Sequence, residues 1–134
     1  MKHLLIILIS LLLLSTPVIG DNHKGETLYD WSECWSFIPC DYKWMGFGDK
    51  ETQPKYQGQV KDGKPNGLGF LIYPDGGRYI GSWKKGERNG RGTYTHPNGY
   101  KFVGEHKENK RWNGTEYKNG DIVGKKVNGR YIKQ

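Results

Sequence analysis

Cys34 and Cys40, with His3, His23, His96 and His106, are the residues of this 134-residue chain best suited to hold a metal or to pair a nucleophile with a base. Their spacing argues against both roles. Two thiolates leave a tetrahedral zinc site two ligands short, and no His pair stands nearby to complete it. A catalytic thiol needs an imidazole partner, and no His holds a telling spacing to either Cys. What the two thiols suit is a disulfide across the five residues from Trp35 to Pro39. Gly-x-Ser-x-Gly, His-Glu-x-x-His and a phosphate-cradling loop are absent from the sequence. Gly67-Leu68-Gly69 and Gly90-Arg91-Gly92 recur at a fixed interval and read as turn elements, not as nucleotide loops. A polysaccharide-cleaving enzyme would need two facing carboxylates at a set separation, and the acids that follow residue 55 are few and lie mostly in or near turns. The expectation is a protein with no catalytic residue, no metal ligand and no cofactor.

A disulfide presupposes an oxidising compartment, and the N-terminus supplies the reason to expect one. Met1-Lys2-His3 is a basic start, Leu4 to Leu14 is an almost unbroken apolar run, and Ser15-Thr16-Pro17-Val18-Ile19-Gly20 brings a breaker and small residues. This is the layout of a secretory signal peptide over residues 1–20, with Val18 and Gly20 suited to the positions before the cut. The rival, an uncleaved anchor, falls short of the roughly 20 apolar residues a span requires. An exported chain, in the periplasm, the envelope or outside the cell, would pair Cys34 with Cys40. Export also removes nucleic acid as a partner, although the net charge of +7 would suit it. Asn113-Gly114-Thr115 forms a glycosylation sequon, but its Asn sits where a turn is expected.

The elements that must position any binding residue follow from composition. Beyond residue 20 there is no Ala, Gly takes 19 positions, and 18 aromatic residues outnumber 12 Ile, Leu and Val. Helix formers are nearly missing and Gly is costly inside a helix, so a helical bundle is excluded. Residues 21–55 hold seven acids against four lysines and are rich in rings, Trp31, Trp35, Trp44 and Phe47 among them. That segment is expected to be an irregular aromatic cap stapled by the cysteines. From residue 56 the balance turns to +9.

The rest of the chain repeats. Tyr56-Gln57-Gly58, Tyr79-Ile80-Gly81 and Phe102-Val103-Gly104 stand 23 residues apart, and so do Asn66-Gly67-Leu68-Gly69 and Asn89-Gly90-Arg91-Gly92. Pro74-Asp75-Gly76 and Pro97-Asn98-Gly99 keep the same interval. Copies fall at 56–78, 79–101 and 102–122, with a partial copy at 123–134. The pattern resembles the MORN (membrane occupation and recognition nexus) repeat, which implies a non-catalytic scaffold or, alternatively, a binder of phospholipid headgroups. Independently of that resemblance, 23 residues with two Gly-containing turns make one β-hairpin, and stacked hairpins make an all-β antiparallel meander. Alternation puts Tyr56, Tyr79, Trp83, Tyr94 and Phe102 on one ring-lined face, taken as a candidate binding face, with Tyr94 expected to lie over Gly81. His106 occupies the place of Trp83 in the repeat and reads as a packed ring. Leu68, Phe70 and Ile72 are expected to receive the N-terminal cap. Turns inside the repeats collect along one edge with a net +5, against +1 for the turns between them. Lys84, Lys85, Arg88, Lys107, Lys110 and Arg111 are the candidate residues of that basic edge, which would meet an anionic surface. The leading expectation is a protein partner, with anionic lipid second.

Overall fold

The computed structural model describes residues 25–32 and 43–133. The candidate signal segment and both Cys34 and Cys40 lie outside the described residues.

Among the described residues ten strands form one antiparallel sheet in the order β10-β9-β8-β7-β6-β5-β4-β3-β1-β2. They are β1 Glu26–Asp30, β2 Trp44–Met45, β3 Lys55–Lys61, β4 Lys64–Ile72, β5 Arg78–Lys84, β6 Glu87–Thr95, β7 Tyr100–Lys107, β8 Lys110–Lys118, β9 Asp121–Val127 and β10 Arg130–Lys133. From β3 onward every strand pairs with its successor, as the stacked-hairpin reading requires. The hairpins close on two-residue turns whose central residues both have positive φ: Asp62-Gly63, Lys85-Gly86, Glu108-Asn109 and Asn128-Gly129. Such turns match the right-handed twist of the strands they join. In the third copy Asn109 replaces the glycine and still adopts φ +64. Asn tolerates that region, and here its Oδ1 also accepts the Arg88 amide at 2.8 Å.

The Asn-Gly-x-Gly elements are not turns. Asn66-Gly67 lies inside β4, Asn89-Gly90 inside β6 and Asn113-Gly114 inside β8. The register shifts between Gly58 and Val60, between Gly81 and Trp83, and between Glu105 and His106. Gly67 (φ +103) and Gly90 (φ +93) carry the first two bulges. Two of these Asn then reach forward along the sheet: Asn66 Oδ1 accepts the Lys85 amide at 3.3 Å, and Asn113 Oδ1 accepts the Asn128 amide at 2.8 Å. These bonds join one hairpin tip to the next.

Two rows of side chains run across the sheet. Leu28, Tyr56, Leu71, Tyr79, Tyr94, Phe102, Glu116 and Gly124 stand opposite one another on the ring face. Thr27, Gln57, Phe70, Ile80, Thr93, Val103, Thr115 and Lys125 do so on the other face. A glycine row, Gly58, Gly69, Gly81, Gly92, Gly104 and Gly114, lets rings lie flat on bare backbone. A Cβ at Gly69 would strike the Tyr56 ring, one at Gly92 the Tyr79 ring, and one at Gly114 the Phe102 ring. Tyr94 does not cover Gly81, contrary to expectation; it stands opposite Tyr79 and packs on Tyr73 instead.

The N-terminal segment docks differently from the sequence expectation as well. Its described part adds β1 to the edge of β3 and places Leu28 in the core with Tyr56, Leu71, Tyr79 and Trp83, while Trp44 packs against that cluster. Leu68 and Ile72 are exposed on the opposite face, at 65% and 38%. Leu71, not its neighbours, receives the cap, because alternation puts Leu71 on the side where the rings have already gathered.

Candidate binding surfaces

The ring face is a core. Tyr56, Tyr79 and Phe102 are fully buried and Trp83 is 4% exposed, so these four of the five candidate binding rings have no surface to offer a macromolecule. Tyr94 is half-buried beneath Arg111. Trp83 stands edge-on to Tyr56, Tyr79 and Trp44, with centroids 5.2, 5.3 and 5.8 Å away. Burial raises the Tyr56 and Tyr79 hydroxyls to about 12. Their protons go to backbone carbonyls: Tyr56 donates to Gln59 at 2.7 Å and Tyr79 to Ser82 at 3.0 Å. His106 is buried between Tyr79 and Phe102, edge-on to both at 4.9 and 5.2 Å. Neither of its ring nitrogens has a hydrogen-bond partner. Burial first, then the Arg88 and Arg111 charges, lowers its pKa to about 4. A neutral, desolvated imidazole of this kind fills space, as the repeat position suggested.

The basic edge divides into two populations. Arg88 stands directly opposite Trp83, and Arg111 opposite His106, so both turn to the ring face. Arg88 lies over the Tyr79 ring and donates through Nη2 to the Asn109 carbonyl at 2.8 Å. Arg111 lies over Tyr94, Tyr100 and Phe102. Both guanidiniums roof the core and leave the binding edge, whose excess falls from +5 to +3. The lysines stay outside: Lys61, Lys64, Lys84, Lys85, Lys107 and Lys110 are all exposed. Between the first two hairpin tips four of them frame an open cleft of about 810 Å³, lined by Lys61, Lys64, Lys84 and Lys85 with Asp62, Asn66 and Asn89. Lys61 and Lys64 are absent from the candidate set; the same turn count that selected Lys84 finds them. Lys107 lies 4.8 Å from the Trp112 ring centroid.

These hairpins can now be set beside known repeats. A family model for the MORN repeat matches residues 56–78 and 79–99. The two matched stretches cover β3 to β6, the pair of hairpins whose tips bear the lysine cleft. β7 to β10 continue the same MORN-like stacking, with the same turns and the same inter-tip asparagine bond, beyond the matched residues. A search among curated proteins gave no match.

The opposite edge, where the turns between the hairpins lie, is held by its own polar contacts. Asp75 and His96 meet at 3.2 Å, and Asp75 Oδ1 accepts the Gly77 amide at 2.8 Å. That amide, before the imidazole, holds the Asp75 carboxyl below its usual range. Lys118 Nζ donates to the Asn98 carbonyl. Among the described residues no group of three or more His, Cys, Asp or Glu is placed to hold a metal ion, and no helix is long and apolar enough to cross a membrane.

Proposed function

We propose that this chain is an exported, non-catalytic repeat module that binds another macromolecule, gripping anionic groups on it with the lysine-bearing edge of its first hairpins. The observation that carries the reading is the cleft in which Lys61, Lys64, Lys84 and Lys85 surround a single acid, Asp62. Among the described residues none of the four lysines stands in an ion pair, and the polar side chains beside them, Asn66 and Asn89, add donors for the same anion. Lysine is a mobile point charge, suited to an extended anionic surface more than to one planar ligand. A partner from an envelope extract should therefore be captured at low salt and released as salt screens the contact.

A second reading, that the anionic surface is a phospholipid bilayer, is favoured by the line of the turns. Turns on one edge of a meander follow one another every two strands, about 10 Å apart, so their lysines can meet a flat surface together. Each Lys near such a surface contributes about 1 kcal/mol. Sedimentation with vesicles containing phosphatidylserine, but not with phosphatidylcholine alone, supports this reading; failure on both while a protein is still captured leaves the first.

A further inference from the structure

We infer that β10 is a docking edge for an extended acidic segment of a partner protein, which would join the sheet as its eleventh strand. β10 is the outermost strand of the described sheet, and its four residues are all exposed. Its inner side is fully paired with β9: Arg130 with Val127, Tyr131 with Lys126, Ile132 with Lys125 and Lys133 with Gly124. The Asn128-Gly129 turn has positive φ at both central residues, so Val127 and Arg130 form the closing hydrogen-bonded pair. Alternation from there points the Arg130 and Ile132 amides at β9 and the Tyr131 and Lys133 amides outward. Two donors thus face away from the sheet. The opposite end is unlike this one, since β2 is two residues long and follows a capping strand.

Charge selects the occupant. β9 and β10 carry Lys125, Lys126, Arg130 and Lys133 against Asp121 alone. A second copy of β10 would bring Lys125, Lys126, Arg130 and Lys133 of one chain alongside the same four cations of the other, and like charges gathered across a strand pair are destabilising. An incoming strand meets Arg130 and Lys133 at its ends and the half-exposed Tyr131 (49%) and Ile132 (51%) between them. The complementary pattern is acid, apolar, apolar, acid, and it reads the same in both chain directions. Backbone bonds give such an added strand its affinity, and the side-chain pattern gives its specificity.

The test uses the peptide Thr-Glu-Val-Val-Glu-Thr and its Lys-for-Glu counterpart, with amide hydrogen exchange followed by NMR on the whole chain. The acidic peptide should slow exchange at Tyr131 and Lys133 by roughly tenfold or more, and leave Arg130 and Ile132, already bonded to β9, unchanged. Lys133→Pro removes one outward donor without touching the β9 ladder, so thermal stability should hold while peptide affinity falls about tenfold. Equal protection by the lysine peptide would overturn the inference, as would no protection at all. So would concentration-dependent protection without peptide, which would assign the edge to a second copy. The lysine cleft lies on other hairpins, so its triple variants leave this result unmoved.

Discussion

His106 is the residue whose chemistry is most altered by its place. Its repeat counterparts are Val60 and Trp83, so an ionisable ring sits where the fold asks for an apolar one. The folded pKa of about 4 lies below the usual value near 6.5, so between those values the unfolded chain binds the extra proton. Stability is therefore fully present above about pH 6.5 and is lost as pH falls toward 4, by on the order of 3 kcal/mol. Urea denaturation of the parent and of His106→Phe across that range should show the loss only in the parent, once the slope shared by both is subtracted. Identical slopes would mean that the imidazole is protonated in the fold. Trp83 makes the complementary case: removing a ring wedged among Tyr56, Tyr79 and Trp44 should cost about 3 to 5 kcal/mol. Gly92→Ala should cost about 1 to 3 kcal/mol, because the new methyl meets the Tyr79 ring. A chemical denaturation series checks both, and an unchanged midpoint for Trp83→Ala would remove that ring from the core.

At the scale of the element, the hairpin carries two devices of different legibility. The 23-residue period and the positive-φ turn residues are visible in the string of letters, and so were the number and order of strands from Tyr56 onward. The bulges were not. Asn-Gly is a strong turn signal locally, and only the cross-strand register shows that Asn66 and Asn113 instead tie neighbouring tips together. Arg88 and Arg111 were misplaced for a simpler reason: they were counted by distance along the chain from a turn. Pairing outward from that turn puts Arg88 beside Trp83 and Arg111 beside His106, and hence on the ring face. The cap was assigned to the wrong face because Leu68, Phe70 and Ile72 are apolar, whereas burial followed the rings to Leu71. Leu28→Ala should accordingly lower stability by about 2 to 5 kcal/mol, while Leu68→Ala stays within about 0.5 kcal/mol. Thermal denaturation distinguishes them, and equal losses would return the cap to the Leu68 face. Asn113→Ala, which leaves the Asn128 amide without its acceptor, should cost about 1 kcal/mol and show first as faster amide exchange in β9 and β10.

At the scale of the whole molecule, the described residues make one sheet with unlike borders. The rings and the two arginines are spent on holding a layer together, and Leu68 and Ile80, at 65% and 60% exposed, leave the far face partly apolar. Charge is what distinguishes the edges, with the lysines gathered at the tips of the first hairpins and Asp75 and His96 engaged with each other across the sheet. The functional claim rests on that asymmetry. Its most direct measurement compares two charge-matched triple variants on phosphatidylserine vesicles as salt is raised: Lys61, Lys84 and Lys85 to Gln, against Arg78, Lys101 and Lys118 to Gln. The lysine-cleft variant should lose about 3 kcal/mol of attachment, roughly a hundredfold, with the control close to the parent and binding of the parent falling with salt. Equal losses from the two variants, or attachment indifferent to salt, would contradict an anion-binding edge and leave those lysines only the task of keeping the hairpin tips soluble.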